Sequence, residues 1–159
     1  EFYFNSVVSQ IHSDHYKVSL QVDAKEFTAD AVVIAAGTES AQLLKSLGIS
    51  IPLYPIKSYS ATASIKNFDE APNGVIVDEA YKVGIARMGT RIRISGAAEL
   101  GSHDATLRDA AISTLIKVSD DWFPVASNYR NASFWSGTRA MLPDGVPLLG
   151  ATPIKSDEN

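Results

Sequence analysis

At 159 residues, 45% hydrophobic and 20% charged, the chain has the composition of an ordinary globular protein, sized for one domain or one domain with part of another. A net charge of −4 with scattered Lys and Arg leaves no basic face of the kind nucleic acid requires. The absence of cysteine excludes disulfides, thiolate-held zinc or iron–sulfur clusters and a cysteine nucleophile, and no apolar run approaches the roughly 20 residues that span a bilayer.

The chain opens at Glu1 rather than at a methionine, inside the strand-like Glu1-Phe2-Tyr3-Phe4, so further residues are expected upstream. Residues 7–11 and 16–22 read as strands around a polar turn, the second alternating through Val18, Leu20 and Val22. Residues 25–28 add a short third strand, giving an antiparallel meander. Ala31-Val32-Val33-Ile34-Ala35-Ala36 is different, because continuous apolarity closed by Gly37 predicts a parallel strand buried on both faces. Thr38 then caps a helix running to Leu47, with Gly48 as its stop.

From Ile51 the texture changes. Pro52 and Pro55 punctuate a crossing, and strands are predicted over residues 59–65, 75–78, 82–87 and 91–96, with Met88-Gly89-Thr90 as a hairpin turn. In Arg91-Ile92-Arg93-Ile94 the arginines face one side and the isoleucines the other, the mark of a sheet with one wet face. A helix is predicted over residues 104–118, with Leu107, Ala110, Ala111, Thr114, Leu115 and Val118 as its buried stripe and Ser102 or Asp104 as its cap. It should back an antiparallel-rich sheet. Residues 131–135 read as a last strand, and 137–153 as loop.

The chemistry-bearing residues are few. His12 and His15 stand three apart near a strand end, an odd offset that separates side chains, and His103 is isolated; solvated turn residues are favoured over a metal site. There is no Gly-x-Ser-x-Gly elbow, and Ser136 has no evident base. Neither a Gly-x-Gly-x-x-Gly nor a Gly-Lys-Ser/Thr phosphate loop is present. Gly37 either ends a strand in a turn or opens the backbone to a ligand. Arg139, after Phe134-Trp135-Ser136-Gly137-Thr138 and before the stiff Leu142-Pro143-Asp144-Gly145-Val146-Pro147, suits bidentate carboxylate recognition, with a surface salt bridge as the alternative.

Six stretches together resemble the FAD-dependent D-amino-acid oxidase superfamily, most closely its bacterial D-amino-acid dehydrogenase branch. They are residues 1–8, 31–38, Tyr54-Pro55-Ile56-Lys57-Ser58-Tyr59-Ser60, residues 78–83, residues 91–100 and residues 135–150. They occur in the family's order over nearly all of the chain. The implied fold is α+β or α/β, a fragment of a two-domain flavoprotein. Residues 1–50 and 134–159 would be discontinuous pieces of an FAD/NAD(P)-binding, Rossmann-like domain, and residues 51–133 an antiparallel-rich mixed-sheet substrate domain. The family's glycine-rich FAD fingerprint would lie before Glu1.

By position, the resemblance implies that the Val8 backbone meets the adenine end of FAD. Ala36 and Gly37 would run under the cofactor, and Gly150 would close the last flavin-side stretch. Arg139 matches the arginine that holds the substrate carboxylate, and Tyr59 belongs to a second substrate-side motif. Two departures stand out: the family's arginine–proline is Arg139-Ala140 here, and its Lys-Gly-Tyr is Lys57-Ser58-Tyr59. The implied activity is oxidative deamination of a D-amino acid to a keto acid and ammonia. FAD would be the only cofactor, with no metal and no catalytic side-chain base. The implied electron acceptor is a quinone or respiratory chain, with the enzyme cytoplasmic and peripheral on the inner face of the bacterial inner membrane. A glycine or sarcosine oxidase of the same superfamily and a non-catalytic binding or assembly module are the alternatives. The 159 residues by themselves are expected to be inactive.

Overall fold

A row of apolar cross-strand neighbours builds the first sheet. In the computed structural model, which describes residues 1–14, 17–102 and 104–152, Ile11 lies opposite Leu20 and Leu20 opposite Phe27. These residues sit on three antiparallel strands, β1 (Val8–Ser13), β2 (Val18–Val22) and β3 (Lys25–Ala29), in that order. The β2–β3 turn places Asp23 at φ 51, a left-handed conformation that Asp tolerates better than most residues. A 3₁₀ turn (Gly37–Glu39) leads into helix α1 (Ser40–Ser46), which packs on β1 and buries Leu44.

Three expectations fail in this part of the chain. Residues 1–4 are not a strand, and Phe2 and Phe4 are exposed with their rings stacked. Nor is the apolar run 31–36 a strand: Val33 is 90% exposed. An apolar run becomes a strand only where neighbours complete its hydrogen-bond ladder, and none of the described residues does so here. Thr38 does not cap α1; the Ala36 N–H donates instead to Ser40 Oγ at 3.0 Å, ahead of the 3₁₀ turn. Tyr16, predicted as the start of the second strand, lies with His15, His103 and residues 153–159 outside the described residues.

The second sheet has five strands in the order β5-β6-β7-β4-β8. They are β4 (Tyr54–Ser64), β5 (Val75–Asp78), β6 (Val83–Met88), β7 (Arg91–Leu100) and β8 (Ser133–Met141). The β5–β6, β6–β7 and β4–β7 pairs are antiparallel. Gly89, at φ 63, opens the β6–β7 turn where the hairpin needs a positive φ. The alternation read from Arg91 to Ile94 is realised: Ile92 and Ile94 have no exposed surface, while Arg91 and Arg93 are exposed. A bulge opposite Ser58 sets Ala97 at φ 55 and shifts the pairing from Tyr59–Gly96 to Lys57–Glu99.

Helix α2 (Asp109–Trp122) packs against β7 and β6, sealing a core that includes Val83, Ile85, Ile92, Ile94, Leu115 and Val118. It begins and ends about one turn later than predicted, so Leu107 and Ala110 are exposed rather than part of its stripe. Asp104 does not cap it. That carboxylate accepts the Thr106 N–H at 3.0 Å and the Thr106 hydroxyl at 2.5 Å, a local turn that competes with helix. The predicted loop 137–153 is strand as far as Met141, where β8 runs beside β4.

The chain divides into two compact units: Glu1–Tyr54 with the chain from Ala140 onward, and Pro55–Arg139. The three-stranded sheet and α1 belong to the first, and the core under α2 to the second.

Candidate functional site

In the first unit the segment entering β1 and the segment entering α1 border one cavity of about 510 Å³. Val7, Val8, Ala36, Glu39, Gln42 and Leu43 are among its lining residues. Two of the four residues expected at a cofactor, Val8 and Ala36, are thus brought together. Gly37 follows Ala36 at φ 58, a conformation an L side chain enters only with strain. Gly150 stands apart: it is not among the lining residues, and a Cβ built on it would meet nothing within 4 Å. Sequence reasoning missed Glu39, Gln42 and Leu43, whose signal was their position in the first turns after Gly37.

Among the described residues no Lys or Arg lines this cavity. Its walls therefore suit an uncharged, flat group contacted through backbone and apolar surface, with the Glu39 carboxylate free to accept from a hydroxyl or amine. They do not suit a diphosphate, which calls for N–H donors at a helix N-terminus or for basic side chains. The adenosine end of FAD fits that description. Val8 and Ala36 line the cavity, and Gly37 is next to Ala36 in the chain without lining it.

The second unit contains the two residues expected on the substrate side, Arg139 and Tyr59. Arg139, in β8, is exposed and makes no ion pair or hydrogen bond among the described residues. Among the described residues none forms the surface salt bridge considered from sequence. Tyr59 is buried at 1% exposure, and its hydroxyl bonds Glu99 Oε1 at 2.8 Å. The Arg108 Nε lies 3.1 Å from the other Glu99 oxygen. Two residues before Tyr59, Lys57 is completely buried, with its ammonium 2.5 Å from Asp104 Oδ1 and 5.2 Å from the centre of the Tyr59 ring.

Burial alone would lower the Lys57 pKa. The hydrogen bonds to Asp104 and Tyr59 and the Asp104 charge outweigh it and hold the ammonium above its ordinary value. Asp104 is held well below the usual carboxylate range, first by the Lys57 hydrogen bond and then by the Thr106 hydroxyl and N–H and the Ser102 hydroxyl. The sequence offers Asp104 as a helix cap and Lys57 only as part of the Lys57-Ser58-Tyr59 stretch; their pairing, 47 residues apart, carries no pattern. Among the described residues no group of three or more His, Cys, Asp or Glu is placed to hold a metal ion.

The family model described as DAO, FAD dependent oxidoreductase, matches residues 1–158. The chain belongs to this FAD-dependent oxidoreductase family. Relatives of this family member include the D-amino acid dehydrogenase of Vibrio vulnificus strain YJ016, 42% identical over 98% of this chain and 37% of that protein. The D-amino acid dehydrogenase of Bradyrhizobium diazoefficiens is 43% identical over 95% of this chain and 36% of that protein. The sequence therefore spans little more than a third of the relatives it matches. Among solved structures, glycine oxidase from Geobacillus kaustophilus superposes with a TM-score of 0.80 at 26% identity, covering 95% of this chain and 40% of that one. L-proline dehydrogenase from P. horikoshii shares the fold at a TM-score of 0.77 and 17% identity, over 96% of this chain and 42% of that one. The family fold is that of a two-domain flavoenzyme, of which this mixed α/β chain with antiparallel sheets is a fragment.

Proposed function

We propose that this chain is part of an FAD-dependent dehydrogenase that oxidises a D-amino acid at its α-carbon, yielding an imine that hydrolyses to a keto acid and ammonia. The observation that carries the reading is Arg139, a guanidinium exposed on β8 with no acidic partner among the described residues, in a family whose relatives here are amino-acid dehydrogenases by name. An unpaired planar fork matches the two oxygens of a carboxylate, the group shared by every amino acid.

Arg139 binds and orients the substrate by its carboxylate, so its contribution is the geometry of the α-carbon. Tyr59 supports the substrate side with its hydroxyl already bound to Glu99. The reacting amine is taken in its neutral form, its proton having gone to solvent, so no side-chain base is needed. Val8, Ala36 and Gly37 hold the adenosine end of FAD, which supplies the two-electron acceptor when bound. In this reading residues 51–133, joined by Arg139 of β8, serve the substrate, and the rest of the flanking pieces, with Gly150, serves the cofactor. Electrons pass on to a quinone or respiratory chain from the inner face of the bacterial membrane; among the described residues no helix is long and apolar enough to cross it.

The sequence has no glycine-rich diphosphate loop, so the 159-residue chain by itself binds FAD weakly and is inactive. Titration of the purified chain against flavin fluorescence checks this, and stoichiometric micromolar binding would contradict it. For the activity, the longest reading frame that encodes this chain is expressed, loaded with FAD and mixed anaerobically with D-alanine. Bleaching of the yellow flavin is expected. The likeness to glycine oxidase supports a second reading, which faster bleaching by glycine would favour. A flavin that no amino acid bleaches rules out both.

A further inference from the structure

We propose that Lys57 and Asp104 are positioning residues for Arg139, acting through the five-residue segment Asp104–Arg108; this rests on the carboxylate-anchor reading of Arg139. The segment precedes α2 and is tied to three different strands. Asp104 meets Lys57 of β4, Arg108 meets Glu99 of β7, and the Ala105 carbonyl accepts a hydrogen bond from Ser136 Oγ of β8 at 3.0 Å. Ser136 lies three residues before Arg139 on the same strand.

The ties form a closed circuit. From Asp104 it runs to the Lys57 ammonium, across the Tyr59 ring, through the Tyr59 hydroxyl to Glu99, and from Glu99 to Arg108, four residues after Asp104. The Asp104 carboxylate is also fixed on its own side by Thr106 and Ser102. Among the described residues β8 is an edge strand, with β4 as its sheet neighbour. The Ser136–Ala105 bond gives that edge a second support.

A lysine is an unfavourable way to fill this space. An ammonium with no exposed surface is tolerated only with its partner in place, and here that partner, Asp104, is itself 47% exposed and held by Thr106 and Ser102. What the charged pair adds is a single arrangement of the segment it holds, and β8 inherits that arrangement through Ser136. A carboxylate anchor needs such precision, because a misplacement of about 1 Å can cost about 100-fold in rate.

The test uses the complete flavin-loaded protein with the paired change Lys57→Met and Asp104→Leu, which removes both charges together and so avoids a buried unpaired ammonium. The expected result is a melting temperature at or above wild type. KM for D-alanine and the inhibition constant of acetate, a carboxylate lacking the amine, should both rise about tenfold, with kcat changed much less. Hydrogen exchange across residues 133–141, which does not depend on turnover, should quicken. Lys57→Arg, which keeps the charge, should recover part of the loss. A paired variant with wild-type KM, acetate inhibition and exchange overturns the proposal and makes the pair merely structural. If Arg139→Met itself leaves KM and acetate inhibition unchanged, the anchor reading fails instead, and the two failures are distinct.

Discussion

The Trp135 ring lies directly over Gly137, so that a Cβ built on the glycine would fall 2.0 Å from the ring's far edge. Glycine accommodates the neighbouring ring there rather than a turn. Trp135 is 58% exposed, so the ring can swing out instead of straining the strand. Gly137→Ala should therefore shift tryptophan emission to the red, measured in a Trp122→Phe background. Stability should change by no more than about 1 kcal/mol, since alanine also suits a strand better than glycine. Unchanged emission would mean that the ring does not cover Gly137.

The Lys57–Asp104 pair predicts a stability plateau with two edges. The Asp104 pKa is depressed below its ordinary 3.8 in the fold, so its contribution is present above that pH and lost as pH falls towards the depressed value. The Lys57 pKa is raised above its ordinary 10.5, so its contribution is present below that pH and lost as pH rises through the folded value. Melting temperature against pH should accordingly hold between those edges and fall outside them. In Asp104→Asn the neutral-pH melting temperature should drop and the acid edge flatten. An acid edge of unchanged steepness in that variant would assign it to other carboxylates.

Leu115 carries no exposed surface at the centre of the α2 interface with the sheet. Leu115→Ala should destabilise the chain by about 2–5 kcal/mol, as truncations in packed cores do. Denaturant unfolding measures it. Leu107→Ala, on a residue left exposed ahead of the helix, should cost far less. Equal losses at the two positions would restore the earlier helix boundary.

The parts of this fold that could be read from sequence are those whose pattern is local. Period-two alternation over Arg91–Ile94 and the glycine at residue 89 identify a hairpin from within a few residues. The run 31–36 misleads because its apolarity says only that it belongs against something, and a ladder depends on partners elsewhere. The start of α2 was misread because Asp104, an ordinary helix cap by type, is engaged by Lys57 and Thr106. Site legibility divides in the same way. Val8 and Ala36 were placed by resemblance and do share a cavity, while Glu39 and Gln42 become visible only once α1 folds beside β1. Arg139 could be named from the residues around it, but that it has no acidic partner among the described residues is a property of the structure alone.

The central claim is that Arg139 anchors the substrate carboxylate, and kcat/KM of Arg139→Met in the complete flavin-loaded protein tests it most directly. Losing one partner of a desolvated charge pair predicts a fall of about 30- to 3,000-fold. The fall should be similar for D-alanine and for bulkier D-amino acids, because all share the carboxylate. FAD content and melting temperature should stay close to wild type, and Arg139→Lys should recover only part of the loss, keeping the charge without the fork. A methionine variant with near-wild-type kcat/KM would contradict the account and leave Arg139 an ordinary surface residue.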